Sequence, residues 1–99
     1  MTLHQLRIFE SVARHLNVTR ASKELHMSQP AVSQQLKFLE RQFAERLIVR
    51  TNHGVELTEQ GRAFLDAVRT IIAQAQKIES TFKIKSNAKK RASSGGWEL

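Results

Sequence analysis

Residues 17–43 hold two short amphipathic segments in close succession, and this arrangement limits the possible folds more than any other feature of the sequence. The first segment, VTRASKELH, places Ala21 and Leu25 four residues apart, on one face of a helix. The second, QPAVSQQLKFLERQF, repeats its apolar residues at helical spacing, at Val32, Leu36 and Leu39. Because the connection is short and the first segment has small side chains, the two helices can pack closely. The pattern predicts a helix-turn-helix.

The flanking residues complete a small domain. Upstream, TLHQLRIFESVARHL has an apolar residue every three or four positions and begins with Thr2 and Gln5, which suit a capping box. Downstream, LIVRTNHGVELT changes to the alternation of a β-hairpin, with turn-forming residues at its tip, Asn52, His53 and Gly54. We therefore expect a mainly α fold over residues 1–57, a winged helix-turn-helix of three helices and a two-stranded wing.

A long helix is predicted after the wing, beginning at Thr58. Its small and apolar residues alternate steps of four and three, at Leu57, Gly61, Phe64, Val68, Ile71, Ala75, Ile78 and Phe82. This is a heptad seam, and a domain of this size cannot cover all of it. We therefore expect a linker and dimerisation helix over residues 58–84. Its predicted interface with a second copy consists of Phe64, Val68, Ile71, Ala75, Ile78 and Phe82. The alternative is that the stripe is core of the same chain.

The C-terminal sequence KIKSNAKKRASSGGWEL is basic at first and then rich in small residues. We expect residues 85–99 to form a flexible linker. A contact of KIKSNAKKR with a membrane surface, or a nonspecific contact with nucleic acid, is the alternative.

The charge balance indicates an anionic partner. The formal net charge is +7, so nucleic acid is the first candidate and an anionic membrane surface the second. No apolar run approaches the roughly 18 residues of a membrane span and no signal-peptide core occurs, so we expect a soluble, cytoplasmic protein. Cysteine is absent, the four histidines lack metal-ligand spacing and no catalytic motif occurs. We therefore expect neither a metal site nor an enzyme.

The leading turns of the second helix in the pair carry small or amide side chains, where a solvated helix usually carries charges. The major groove of DNA admits one α-helix, whose N-terminal turns contact base edges. We therefore expect base readout by Gln29, Pro30, Ser33 and Gln34. Contacts with the DNA backbone are expected from Thr19, Arg20, Ser28, Lys37, Arg50 and Thr51, and further contacts from the wing tip. A solvated helix face without a partner is the alternative.

The motif SQPAVS, followed at this separation by LTEQG, is a specific combination, and residues 3 to about 68 resemble the DNA-binding domain of LysR-type transcriptional regulators. The resemblance implies a homodimer, held by the long helix, that binds double-stranded operator DNA. It also implies that the full-length protein has a C-terminal domain for a small-molecule effector, and GGWEL resembles the start of that domain. No cofactor is expected within residues 1–99.

The sequence departs from the family pattern at four positions. Ala44 stands where the family usually has glycine after the third helix, so a left-handed helix end does not carry over from the resemblance. Arg46 replaces a frequent proline and adds charge before the wing. Gln34 and His53 stand where many members have arginine, so guanine readout by arginine is not expected at these two points.

Two other functions account for less of the sequence. A protein-interaction module would use the heptad helix, but the eight Lys and Arg of residues 1–57 outnumber five acids, and the excess falls in the segments that would face DNA. Binding of single-stranded RNA requires exposed aromatic platforms, which the pattern does not indicate.

Overall fold

The computed structural model describes residues 1–92, and the side chains of the first 82. Three helices come first: α1 (Leu3–His15), α2 (Val18–Leu25) and α3 (Gln29–Phe43). Two antiparallel strands follow, β1 (Ile48–Thr51) and β2 (Gly54–Leu57), and then the long helix α4 (Glu59–Ala92). This order confirms the predicted fold class, a winged helix-turn-helix followed by a long helix.

The first three helices begin at side chains that accept hydrogen bonds from the backbone. Thr2 and Gln5 form the predicted capping box of α1. Asn17 and Ser28 each accept from the N–H group three residues later, at the start of α2 and α3. Each bond satisfies an N–H that has no partner within its helix. Pro30 lies in the first turn of α3, where its missing N–H costs nothing.

The same three helices end in left-handed residues that are not glycine. Leu16, His26 and Ala44 have φ angles of 50°, 55° and 52°. This conformation costs a residue with a Cβ atom about 1–2 kcal/mol, but it reverses the chain within one residue and satisfies carbonyls of the last turn. At the end of α3, the N–H groups of Ala44 and Glu45 donate to two such carbonyls. The family resemblance did not imply a left-handed helix end here, because Ala44 replaces the usual glycine, but the structure has one at Ala44.

One hydrophobic core lies between the first three helices, the wing and the start of α4. Its largest fully buried apolar side chains are Phe9, Leu6, Ile8, Leu39, Val12, Val32 and Val68. The ring of Phe9 meets that of Phe64 edge to face, with 5.0 Å between the centroids. Phe64 in turn lies 5.4 Å from the ring of Phe43. The core thus fixes α3 and α4 against α1.

The wing is anchored to the end of α1. β1 and β2 pair Ile48 with Leu57 and Thr51 with Gly54. Gly54 has a φ of 136°, and a Cβ atom at this position would lie 2.5 Å from the carbonyl oxygen of Leu16. The N–H of Val55 donates to the same oxygen over 3.2 Å. Only glycine fits here, and the contact sets the position of the wing relative to the helices.

The start of α4 docks against the base of the wing through Thr58 and Gly61. The Thr58 hydroxyl accepts from the N–H of Gly61 and donates to the carbonyl of Arg46, while the Thr58 N–H donates to the carbonyl of Leu47. A Cβ atom on Gly61 would lie 2.1 Å from that Leu47 oxygen. The motif LTEQG therefore supplies a helix cap and a close backbone approach, which fix the direction of α4.

The seam of α4 divides into a covered part and an exposed part. Val68 is only 1% exposed within the single chain because it belongs to the domain's own core, so it offers almost no surface to the predicted dimer interface. Phe64 and Ala75 are partly buried. Ile71, Ile78 and Phe82 are 41%, 59% and 54% exposed. Val68 is thus the last seam residue within the domain's own core, and Ile72, which lies off the seam, still packs against that core.

Helix α4 continues to Ala92, beyond the predicted end at residue 84. Residues 85–92 are therefore helical and not a linker without fixed structure. The physical reason is that residues 83–92 contain neither glycine nor proline and are rich in lysine, arginine and alanine, which favour helix. Basic residues also suit the negative end of the helix dipole. The remaining predicted linker residues, 93–99, lie outside the described part.

Candidate nucleic-acid interface

The predicted base-contacting residues lie together on the first two turns of α3. Gln29, Pro30 and Gln34 are exposed, and the side-chain amides of the two glutamines make no hydrogen bond to any other described residue. Their donors and acceptors are therefore open to a partner. Ser28 caps the helix by accepting the N–H of Ala31, which leaves its hydroxyl proton available. Ser33 differs from these residues because it is half-buried and already bonded.

A hydrogen bond joins the wing to α3 at this point. The Nη2 group of Arg50, on β1, donates to the hydroxyl oxygen of Ser33 over 2.8 Å. The two residues are seventeen positions apart in sequence, and no sequence pattern indicated their contact. One predicted backbone-contacting residue is thus bonded directly to one predicted base-contacting residue.

Two shallow surface grooves flank α3, and Ser33 and Lys37 line both of them. The outer groove also includes Pro30, Gln34, Phe38 and Arg41. The inner groove, between α3 and the wing, also includes Glu40, Arg46 and Arg50. Ser33 and Lys37 therefore form a ridge on the helix, with positive side chains on both sides.

Glu40, the acidic residue of the inner groove, is bonded to backbone N–H groups. One carboxylate oxygen of Glu40 accepts from the N–H groups of Leu47 and Ile48, over 2.8 and 3.2 Å. The same oxygen lies 3.9 Å from Nε of Arg46. These contacts fix the start of β1 beside α3 and offset the negative charge, so the groove stays favourable for an anion.

The other predicted backbone-contacting residues are distributed over α2 and the wing. Thr19 and Arg20, at the start of α2, are exposed, as is Lys37 on α3. Thr51 is half-buried, and its hydroxyl accepts from the N–H of His53 over 3.2 Å, which stabilises the turn at the wing tip. Asn52 and His53 are exposed at that tip, as predicted, beside Gly54.

Sequence reasoning left several groove residues out of the predicted interface, among them Arg41, Phe38 and Arg46. Arg41 and Phe38 lie one helical turn beyond Lys37 and Gln34 on α3, so helical spacing could have indicated them. Phe38 is 47% exposed, which is unusual for a large apolar side chain. Arg46 was noted only as added charge, and its place in the inner groove depends on the path from α3 to β1.

A second polar cluster connects α1 to α2. Arg14 donates to Glu10 and to Glu24, with a shortest distance of 2.6 Å to Glu24, and the Ser11 hydroxyl also donates to Glu24. The bonds from Arg14 and Ser11 lower the pKa of Glu24 to about 2. Bonding to Glu10 and Glu24 raises the pKa of Arg14 above its already high ordinary value. Arg14 is thus bonded to both carboxylates of this cluster and offsets part of their negative charge.

Two kinds of site find no support in the part of the chain that the structure describes. No group of three histidine, aspartate or glutamate side chains there lies close enough together to hold a metal ion. No helix of that part combines the length and apolar character that crossing a membrane requires.

Comparison with known proteins identifies the family. The family model described as bacterial regulatory helix-turn-helix protein, lysR family, matches residues 3–62. The chain belongs to the LysR family. This confirms the resemblance seen in SQPAVS and LTEQG, and the match extends from α1 to the first turn of α4.

Curated LysR relatives are transcriptional regulators of greater length. The chain is 43% identical over 83 residues to the RuBisCO operon transcriptional regulator of Allochromatium vinosum, covering 84% of this chain and 28% of the relative. It is 40% identical over 83 residues to the HTH-type transcriptional activator AmpR of Providencia stuartii, with the same coverage of each. The chain thus spans a little over a quarter of the length of these relatives.

Similar solved structures include LysR domains on DNA. The CbnR_DBD–DNA complex superposes with a TM-score of 0.77 at 35% identity, over 87% of this chain and 99% of that chain. The BenM_DBD/catB site 1 DNA complex gives a TM-score of 0.80 at 27% identity, over 87% and 97%.

Proposed function

We propose that this chain binds double-stranded operator DNA with sequence specificity, as the DNA-binding part of a dimeric LysR-type transcriptional regulator. The observation that carries the proposal is the surface of α3, whose first turns expose uncharged hydrogen-bonding groups beside positive side chains from α3 itself, from Arg46 and from the wing. The DNA complexes of CbnR and BenM domains with a similar fold support this use of the surface.

Helix α3 enters the major groove in this proposal, with its N-terminal turns toward the base edges. Gln29 and Gln34 carry amides that can bond an adenine through two hydrogen bonds. Ser33 contacts a base with its hydroxyl, and the ring of Pro30 packs against a thymine methyl group or a sugar edge. No acidic side chain precedes Glu40 on this helix, so nothing on its leading turns repels the phosphates.

The flanking elements bind the DNA backbone. We propose phosphate contacts from exposed side chains of both helices, namely Thr19 and Arg20 at the start of α2, Ser28 at the start of α3 and Lys37 on α3. Arg50, Thr51 and the tip residues Asn52, His53 and Gly54 bring the wing to the neighbouring strand. These contacts supply affinity that depends on salt but not on base sequence.

The exposed part of α4 pairs with a second copy of the chain. Ile71 and Ile78 are seven residues apart and 41% and 59% exposed, so they form one apolar stripe beyond the domain's own core. Burial of each side chain contributes about 1.5–3 kcal/mol. We place Phe64, Ala75 and Phe82 at the edges of this interface. Two α4 helices, antiparallel or crossed about a two-fold axis, hold two α3 helices for two half-sites of the DNA.

The longer LysR relatives motivate the rest of the proposal. Since the chain covers little more than a quarter of their length, we propose that the full-length protein also has an effector-binding domain after α4, for a small molecule. The described domain needs no cofactor for the DNA contacts proposed here. Regulation of bacterial transcription places the protein in the cytoplasm.

DNA binding is tested by selecting bound sites from random duplexes with this chain. The recovered sites are expected to share a pattern with two-fold symmetry. Titration of a selected duplex and a scrambled duplex at several salt concentrations should show tighter binding to the selected one, and affinity for both should fall steeply with salt. Recovery of sites without any common pattern contradicts sequence-specific binding.

Dimerisation is tested by Ile71→Asp together with Ile78→Asp. The double variant should keep a folded N-terminal domain, because neither residue belongs to its core, but should sediment as a monomer. Its affinity should fall far more for a two-fold symmetric site than for a half-site.

Ala73→Asp with Gln76→Asp is the matched control, since it adds the same charge at exposed positions away from the stripe. This control should remain a dimer. If the Ile71 and Ile78 variant also sediments as a dimer, the exposed part of α4 is not the interface.

A further inference from the structure

The bond between Arg50 and Ser33 connects a residue proposed to contact the DNA backbone with a residue proposed to contact a base. Arg50 is exposed on the wing, where its charge suits a phosphate, yet its Nη2 group lies 2.8 Å from the Ser33 hydroxyl oxygen. Ser33 faces both grooves beside α3. An arginine that only contacted phosphate would have no need of a bond to a base-contacting side chain.

The bond determines which kind of hydrogen-bonding group Ser33 offers. A guanidinium has donors only, so the Ser33 oxygen must act as the acceptor in this contact. The serine's own proton then points away from Arg50. A second donor that approached the same oxygen would bring its positive hydrogen next to a cation, which is unfavourable. Because the Ser33 hydroxyl accepts a hydrogen bond from the Arg50 cation, it is polarised and becomes a stronger donor through its own proton.

We propose that Arg50 sets the hydrogen-bonding polarity of Ser33, so that this serine contacts DNA as a donor only. This inference rests on the proposed function and extends it. In the major groove, guanine, adenine and thymine each present an acceptor, whereas cytosine presents only its amino donor. Ser33 therefore accepts three of the four bases at its contact and rejects cytosine. Arg50 is a positioning residue for base readout in addition to being a backbone contact.

The arrangement around the pair supports a fixed geometry. Ser33 is half-buried on α3, and β1 is held beside that helix by the bonds from Leu47 and Ile48 to Glu40. The wing itself is anchored by the bond from Val55 to the end of α1. Arg50 thus approaches Ser33 from a strand that is held at its start by Glu40 and, through the pairing of Arg50 with Val55, by the end of α1.

The experiment compares base preferences of the unmodified chain, Arg50→Ala, Ser33→Ala and the double variant. Affinities are measured on a selected site in which each base pair is replaced in turn by the other three. The unmodified chain should disfavour cytosine at one position by about fivefold or more, which corresponds to about 1 kcal/mol, the low end for a good base contact. Ser33→Ala should lose this preference at that position alone.

Arg50→Ala should lose the rejection of cytosine at the same position, because the freed hydroxyl can rotate and accept. The double variant should show no greater loss of preference than either single variant. Arg20→Ala is the matched control: it removes an equally exposed positive charge whose side chain makes no bond to another described residue. It should weaken binding to every sequence alike.

The outcomes separate this inference from the function on which it rests. If the unmodified chain shows no base preference anywhere, the proposed function fails and the inference falls with it. If base preference is present but Arg50→Ala weakens all sequences equally, as Arg20→Ala does, Arg50 is a backbone contact only and the inference alone is wrong. A change of preference by Arg50→Ala at a position that Ser33→Ala leaves intact also overturns it.

Discussion

Two polar clusters of this domain use similar side chains in opposite ways. Between α1 and α2, Arg14 lies between two glutamates and Ser11 bonds to one of them, so donors and acceptors are matched within the chain. On α3, the amide of Gln29 is exposed without a bond to another described residue, and Arg20 on α2 is equally open. Water satisfies the open groups in the free protein at little cost.

The difference indicates where stability and where binding arise. A matched cluster contributes to the free energy of unfolding and offers little to a partner, because its groups are already bonded. An open cluster contributes little to folding but keeps its donors and charges for a ligand. Variants in the two clusters should therefore have separable effects, on unfolding in one case and on DNA affinity in the other.

The largest effect is expected from Gln29→Ala in the open cluster. Loss of a two-bond contact with a base should reduce discrimination at one base pair by about 1–3 kcal/mol. Urea unfolding should be nearly unchanged because the side chain is exposed and unbonded. The measurement is affinity for the selected site and its single-base variants. Gln42→Ala, another exposed glutamine of α3, is the control and should bind normally. Unchanged preference at every base pair would exclude Gln29 from readout.

Arg14→Ala should do the reverse in the matched cluster. It leaves Glu10 and Glu24 close together without their shared cation, so the free energy of unfolding should fall by about 0.5–1 kcal/mol, a modest value because the ion pairs are partly exposed. Urea denaturation measures this change, and affinity for DNA should be unaffected. A loss of DNA affinity at unchanged stability would place Arg14 in the interface and remove the distinction between the clusters.

Arg20→Ala, in the open cluster, should have a smaller effect on DNA affinity than Gln29→Ala and again little effect on stability. The variant should bind all sequences more weakly, and the slope of log affinity against log salt should become shallower by about one unit. Stability should change by no more than about 0.5 kcal/mol, as for most surface substitutions. Salt titrations of selected and scrambled duplexes measure the slope. An unchanged slope would show that Arg20 makes no phosphate contact.

The sequence was most informative where structure depends on neighbouring residues. The caps at Thr2, Asn17 and Ser28 and the limits of α3 follow from local spacing, and the helix-turn-helix follows from these. The heptad seam could not show where the domain's own core ends, because burial of Val68 depends on how α1 lies across α4. The basic composition of the C-terminal sequence predicts a linker from residue 85, yet a basic run without glycine or proline also suits a helix, and α4 reaches Ala92.

Contacts between distant residues were also beyond sequence reasoning. The bond from Arg50 to Ser33 requires the wing to return beside α3, which depends on Gly54 fitting against the carbonyl of Leu16. The left-handed Ala44 shows the same limit, since alanine has no preference of its own for this backbone angle. The individual interface residues remain predictions that the binding experiments test.

The smallest expected effect is a pH dependence of stability that originates in the matched cluster. Bonds from Arg14 and Ser11 lower the pKa of Glu24 to about 2 in the folded chain, from an ordinary value near 4.5. Because the folded pKa is the lower one, this carboxylate stabilises the fold fully above about pH 4.5, and the contribution is lost as the pH falls toward 2.

Glu24→Gln removes this titration. The variant should be slightly less stable than the unmodified chain at pH 7, and the difference should shrink as the pH is lowered from 5 to about 2, in urea unfolding measured across that range. Since Glu24 is substantially exposed, solvent screening keeps the effect small. Glu45→Gln is the control, because the Glu45 carboxylate is exposed and makes no bond to another described residue. Its stability should not show this pH-dependent difference from the unmodified chain. A Glu24→Gln variant that follows the unmodified chain at every pH would show that the cluster is not matched in solution, and that its groups bond to water as those of the open cluster do.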